Sequence, residues 1–437
     1  VDVGGIKVAA VDNGQPSASI TFLVKAGPRH ESKTGIAHIL KNYAFKNTSD
    51  RSALRIARET ELYGGVLTST LGREHLALTA EFLKAVLKET RFTPHEFHES
   101  VLPSVQAETQ EATHNPAITA LDIAHALAFR KGLGSSLFAS AAGPHINSED
   151  VKTFASSAFA KSNISVIGTG VDPSTLGKLV EKSLSSLPSG SSAASSSAKY
   201  YGGESRALLE THGVQTIFIG YGATGPVTPE LSVLAAHLSA TPAVKWSESE
   251  PSAFPGLPQE ATVQTVLLPY TDATLFGFVI QAPTSEAVTK AGKAVVAGVK
   301  ATAGGSLKNE VLKKAVAKAK FTAATALDTR QGFVDAVSLQ LATGAKATVE
   351  STFAGIEKVS TQAASSALSA LTKSKPVFVA VGDVQMNQRL RYTPNHQHTD
   401  DSNLFKDYPT AADARGSLLL RFLITPSVWP CPEPDED

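Results

Sequence analysis

Three short stretches recur in the same order, each displaced by roughly 200 residues, and a chain that repeats itself once is built from two copies of one fold unit. SITFLVKAG (Ser19 to Gly27) is echoed by QTIFIGYGA (Gln215 to Ala223), and ISVIG (Ile164 to Gly168) by FVAVG (Phe378 to Gly382). TALD occurs at Thr119 to Asp122 and again at Thr325 to Asp328, both times in a Lys/Ala/Glu-rich helical stretch. Between the copies, SLSSLPSGSSAASSSAKYYGG is too poor in large apolar side chains to bury a core and reads as a linker. The expected division is a first domain over 1–184, a linker over 185–205 and a homologous second domain over 206–385. Residues 386–437 hold the only methionine, Met386, and the only cysteine, Cys431, and end in a Pro/acidic run. They are expected to form an irregular appended tail.

Apolar strands at both ends of each copy, with helices between, point to an α+β fold. It would be two tandem homologous domains, each a β-sheet covered on one side by helices. In the first copy IKVAAV and SASITFLVKA flank DNGQPS, whose Asn13-Gly14 pair predicts an opening hairpin. Apolar spacing predicts helices over 35–45 and 52–63 and a long helical pair over 80–112, with REHLALTAEF alternating as a strand.

The 437 residues are 42% hydrophobic and 18% charged, a composition that supports a sizeable core. Forty basic and forty acidic residues cancel, so charge offers no case for a nucleic acid or an anionic membrane surface as partner. No apolar run reaches the roughly 18 residues of a spanning helix. A single cysteine excludes an internal disulfide framework and a cysteine-based zinc site, and points to a reducing compartment. Val1 stands first and no methionine precedes Met386, from which removal of an N-terminal segment is expected.

GIAHILKNYAF raises the one chemical question. Ile36, Ile39, Leu40 and Tyr43 make an apolar stripe, while His38, Lys41 and Asn42 share another face. The inverted zinc-peptidase motif H-x-x-E-H holds zinc with two histidines one turn apart and activates water with the glutamate. Here His38 takes the first ligand position, Lys41 that of the glutamate and Asn42 that of the second histidine. An amide oxygen is a poor zinc ligand beside imidazole. An ammonium cannot take a proton from water, and about 5 Å from a cation at an effective dielectric near ~20 it costs on the order of several kcal/mol.

With that helix, ETELYGGVLTSTLGREHLALTAEFL and HESVLPSVQAETQEATHNPAITALDIAHALAF, the chain over about Val1 to Gln385 resembles the pitrilysin/insulinase-type metallopeptidases, in their mitochondrial branch. That branch holds the two subunits of the mitochondrial processing peptidase and the two core proteins of the ubiquinol-cytochrome c reductase, complex III. Active members carry a third ligand, a glutamate, about 77 residues after the second histidine. That count lands on Ile118 or Thr119, neither of which can serve.

The degenerate motif, with VKWSESEPSAF, LPYTDATLFGFVI and KPVFVAVGDV, is most similar to the second core-protein group. The resemblance then implies no catalytic residue, no metal, no cofactor, and vestigial motif positions at His38, Lys41 and Asn42. It implies a peripheral subunit on the matrix side of the mitochondrial inner membrane, with no span of its own. Its partners would be the first core protein, cytochrome b, cytochrome c1 and the iron-sulfur protein, in a complex that is a dimer. The alternative is the alpha-type, presequence-binding subunit of the processing peptidase. That subunit carries a long glycine-rich loop where this chain has PAVKWSESEPSAFPGLPQE, with Gly256 alone.

The remaining motifs have plainer readings. GYGATG (Gly220 to Gly225) matches G-x-G-x-x-G, but no acid ends a strand about 20 residues on, so a tight strand-to-helix turn is expected instead of a nucleotide site. His95 and His98 in PHEFHES are three apart, not four, and mark a solvated helix start. His75 and His125 are expected as satisfied core or interface histidines, and His396 and His398 lack a third ligand. Cys431 is isolated and no G-x-S-x-G occurs, which leaves no nucleophile arrangement to propose.

Overall fold

The computed structural model of the chain describes residues 2–382 except 13, 15–17, 63, 81–89, 141–142, 144, 186, 191–196, 210–213, 241–252 and 344–347. The first half carries β1 (Asp2–Val3), β2 (Ile6–Val11), β3 (Ser19–Val24), α1 (Ile36–Asn42), α2 (Ala53–Leu62), β4 (Leu67–Leu71) and β5 (Leu76–Ala80). It continues with α3 (Pro94–Glu96), α4 (Leu102–His114), α5 (Pro116–Phe129), α6 (Ser148–Ala158), β6 (Ile164–Thr169) and α7 (Pro173–Leu184). A π-helical turn over Phe97–Val101 joins α3 to α4. The second half carries β7 (Gly203–Leu208), β8 (Gln215–Thr224), α8 (Pro229–His237), β9 (Thr262–Pro269), β10 (Ala273–Ala282) and α9 (Ser285–Ala303). It ends with α10 (Asn309–Asp328), α11 (Arg330–Thr343), α12 (Val349–Glu357), α13 (Thr361–Thr372) and β11 (Val377–Gly382). The tail over 386–437 and most of the Trp246 segment lie outside the described residues.

Hydrogen bonding orders the first sheet β1-β2-β6-β3-β5-β4 and the second β7-β11-β8-β10-β9. With β2 set beside β7 the two orders coincide. In each, the closing strand (β6 or β11) runs parallel to the opening one and antiparallel to the next. The chain is thus two copies of one α+β unit, the first with β1 added. β7 begins at Gly203, inside the stretch read as linker.

Two expectations need correction, and a third falls in part outside the described residues. The opening hairpin does not form, because β6 lies between β2 and β3 and pairs with both. Ile164, Val166 and Ile167 are buried on both faces of β6, so this strand takes a central place. Of the helical pair expected over 80–112, Ala80 belongs to the end of β5, residues 81–89 lie outside the described residues, and the second member is present as the helical run from Pro94 to His114. The TALD repeat is a coincidence of four letters: the first lies in α5, after the break at Asn115, and the second ends α10, before the break at Thr329.

Each half places its own helices on one sheet face. Ile20, Phe22, Val24 and Val166 face the first core, and Ile217, Ile219, Phe276, Phe278 and Phe378 the second. The opposite face receives a helix from the other half. Helix α5 lies on β8 and β11, burying Phe218, Leu275, Val377 and Val379. Its residues Ala120, Ala124 and Ala128, one turn apart, are wholly buried, and their small side chains let the helix lie close to the sheet. In exchange α11 brings Val334, with Phe333 and Val337, over Leu23 and Ile167 of the first sheet. No helix among the described residues is long and apolar enough to cross a membrane.

Candidate functional site

Helix α1 is placed by its N-cap. Gly35 has φ +92°, and a Cβ there would stand 2.7 Å from the Cβ of Ala139, so glycine is required both by conformation and by space. The stripe Ile36, Ile39, Leu40 and Tyr43 is buried in the first core, as the sequence spacing implies. That rotation turns His38, 2% exposed, toward α4 and the Phe138–Ala139 backbone.

All three polar residues of α1 converge on one carboxylate, Glu108 of α4. The backbone N–H of Ala139 donates to His38 Nδ1 at 3.1 Å, which leaves Nε2 as the N–H donor to Glu108 Oε2 at 2.6 Å. Lys41 Nζ donates to Glu108 Oε1 at 2.6 Å. Asn42 Nδ2 donates to Glu108 Oε2 at 3.1 Å and to the His38 carbonyl at 3.2 Å. The Phe138 ring meets the imidazole edge-on, centroids 5.7 Å apart. Burial pushes the Glu108 carboxyl up, but hydrogen bonds from His38 and Lys41, with the charge of Lys41, outweigh it and hold the group at about 2.

A metal site gathers lone pairs around a cation; this cluster gathers N–H donors around an anion. His38 Nε2 spends its valence on a proton, Asn42 presents its NH₂, and Lys41 supplies a positive charge of its own. Among the described residues no group of three or more His, Cys, Asp or Glu side chains could hold a metal ion.

Glu108 is the residue that counting along the sequence misses. It follows Asn42 by 66 residues, whereas the longer count lands on α5. There Ile118 sits in the first turn and Thr119 Oγ1 donates to the Ala112 carbonyl at 3.2 Å, bonded within its own helical hairpin and not to α1. The sequence does hold a signal. Val101, Val105 and Ala112 are buried on one face of the helix, and Glu108 occupies the remaining place in that i, i+4, i+7, i+11 series. A carboxylate in an inward stripe requires a partner.

The other candidates separate cleanly. His95 and His98 are exposed at the start of their helical run. In GYGATG, Gly220 and Gly222 belong to strand β8, where a Cβ at Gly222 would overlap the Tyr200 ring; only Gly225, at φ +103°, makes a turn. His125 is buried and spans the two halves through Tyr270. His75 lines a cavity of about 90 Å³ between the first sheet and α11, with Lys7, Lys25 and Ser338. His396, His398 and Cys431 lie outside the described residues.

Residues 7–141 match the model of the family described as Insulinase (Peptidase family M16). The mitochondrial cytochrome b-c1 complex subunit 2 of Cryptococcus neoformans var. grubii is 43% identical over 407 residues, 88% of this chain and 91% of that protein. The protein of the same name from Homo sapiens is 28% identical over 77% of this chain and 78% of its own. The alpha subunit of the mitochondrial processing peptidase of Solanum tuberosum is 31% identical, over 46% of this chain and 43% of its own. Among solved structures, a chain of "Complex III2 from Candida albicans, Inz-5 bound" shares the fold. Its TM-score is 0.72, over 87% of this chain and 95% of that one, at 15% identity.

Proposed function

The chain belongs to the mitochondrial cytochrome b-c1 complex subunit 2 family, and on that premise we propose that it is a noncatalytic core subunit of complex III, the ubiquinol-cytochrome c reductase. Its contribution is architectural. It pairs with the first core protein on the matrix side of the inner membrane and supports cytochrome b, cytochrome c1 and the iron-sulfur protein. Those subunits carry quinol-to-cytochrome c electron transfer, and this chain holds no cofactor of its own.

The observation that carries the noncatalytic reading is the wiring of Glu108. The insulinase family implies zinc, and the donor set does not fit it. The hydrogen bond from Ala139 commits His38 Nδ1 as acceptor, so Nε2 has no lone pair for an ion. The Lys41 ammonium already neutralises Glu108 and stands where the family's motif has its water-activating carboxylate. No hydrolytic step is therefore assigned. The chain is divided here as a first domain over 1–184, a connection that ends where β7 begins at Gly203, a second domain up to 385 and a tail over 386–437; α7 ending at Leu184 supports the first boundary.

Mass spectrometry of blue-native gel bands from mitochondrial membranes tests this. The chain is expected to migrate with the detergent-solubilised cytochromes. Migration with a soluble peptidase partner instead would favour the presequence-binding reading, toward which the alpha-subunit similarity covers under half of the chain.

A further inference from the structure

The two halves meet through corresponding parts of the repeated unit. Each gives one helix, α5 or α11, to the outer sheet face of the other. The sheets also touch through equivalent hairpin turns, the one joining β4 to β5 and the one joining β9 to β10. Both turns close with the same hydrogen bond, Gly72 N–H to the His75 carbonyl and Tyr270 N–H to the Ala273 carbonyl, each 2.8 Å.

Between these turns lies a dense polar lock. Glu74 accepts from Thr271, through the backbone N–H at 3.2 Å and the hydroxyl at 2.6 Å. Arg29, whose side chain is 4% exposed, donates to Glu74 at 2.6 Å and grips Asp272 with both terminal nitrogens at 2.7 Å. His125 donates from Nδ1 to the Leu121 carbonyl at 2.6 Å, so its Nε2 accepts the Tyr270 hydroxyl at 2.7 Å. Three consecutive residues of one turn, Tyr270, Thr271 and Asp272, are thus each held by a side chain of the other half. Reciprocal exchange about a central self-contact is the geometry of an isologous two-fold interface.

We propose that each half is a docking module whose partner is the other half, so that the connection through 191–197 is not needed to hold them together. The interface has what a separable complex requires: an apolar helix seated on each sheet and a central, nearly desolvated arginine anchor. The covalent connection only raises the local concentration of the halves, to the order of millimolar for a short tether. The subunit then enters its assembly as one body that does not hinge between its halves.

A site-specific protease sequence placed between Gly190 and Ala198 of the full chain tests this. After cutting, the two pieces are expected to co-elute on native size exclusion at low micromolar concentration, at the volume of the uncut chain, and to separate in denaturant. Pieces that separate in native buffer would overturn the proposal. Arg29→Met should leave the uncut chain's elution unchanged and raise the dissociation constant of the cut halves at least ~100-fold. Thr271→Val, a milder change that keeps the charges, should raise it about tenfold. An unchanged constant in both variants would contradict the anchoring role of the lock.

Discussion

Two helix pairs occupy equivalent places in the two halves and are built from opposite materials. In the second half α8 meets α10 through Leu231, Leu234, Leu312, Ala315 and Ala319, all buried. In the first, α1 meets α4 through His38, Lys41, Asn42 and Glu108. The same backbone arrangement stands with either filling, so the polar cluster is not something the fold needs. It is a chemical choice confined to one copy. Apolar contact is undirected and survives imperfect fit, whereas the cluster holds only while each donor finds Glu108, since an unmatched polar group in a buried place is costly.

The sharpest way to separate the two contacts is to remove a central group from each. Leu234→Ala, at a wholly buried position, should cost about 2–5 kcal/mol in urea unfolding, by the same amount at pH 7 and pH 4. Glu108→Ala should cost ~3 kcal/mol at pH 7, the scale of a carboxylate held at about 2 against its ordinary value near 4.5. Its pH dependence carries a definite sign. The folded value is depressed, so the stabilisation is complete above about 4.5 and is lost as pH falls toward 2. The gap between parent and Glu108→Ala should therefore close through that window, and a constant gap would place the effect in packing alone.

Lys41→Met should cost about 1–2 kcal/mol, because Lys41 is 15% exposed and water screens part of the lost charge. Adding Glu108→Leu to it should recover stability relative to Glu108→Ala, by making the first-half contact resemble the second. A double variant less stable than Glu108→Ala would show that the two contacts are not interchangeable. Asn42→Ala is the smallest change, about 0.5–1 kcal/mol for one hydrogen bond of an already well-supplied acceptor.

The same contrast explains what could be read from the residues alone. Strands such as FVAVG, apolar at every position, and ISVIG, interrupted only by Ser165, declare themselves, since they are buried on both faces. Their order does not, because a turn signal like Asn13-Gly14 is local while the place of β6 is set by what the whole sheet can bury. The exchange of α5 and α11 between halves is likewise a long-range choice that no window of sequence contains. In the site, His38, Lys41 and Asn42 share one turn and were legible together. Glu108 was not, because its distance in sequence depends on connecting-segment length, although its place in the stripe of Val101, Val105 and Ala112 marks it.

The wiring of that cluster is tested most directly by the zinc content of the purified chain after equilibration with excess zinc and removal of the free ion. The parent and His38→Ala are expected to carry the same background level, with unfolding midpoints indifferent to chelator. One zinc per chain in the parent, lost on replacing His38, would mean that the imidazole offers a lone pair where the structure has it offering a proton.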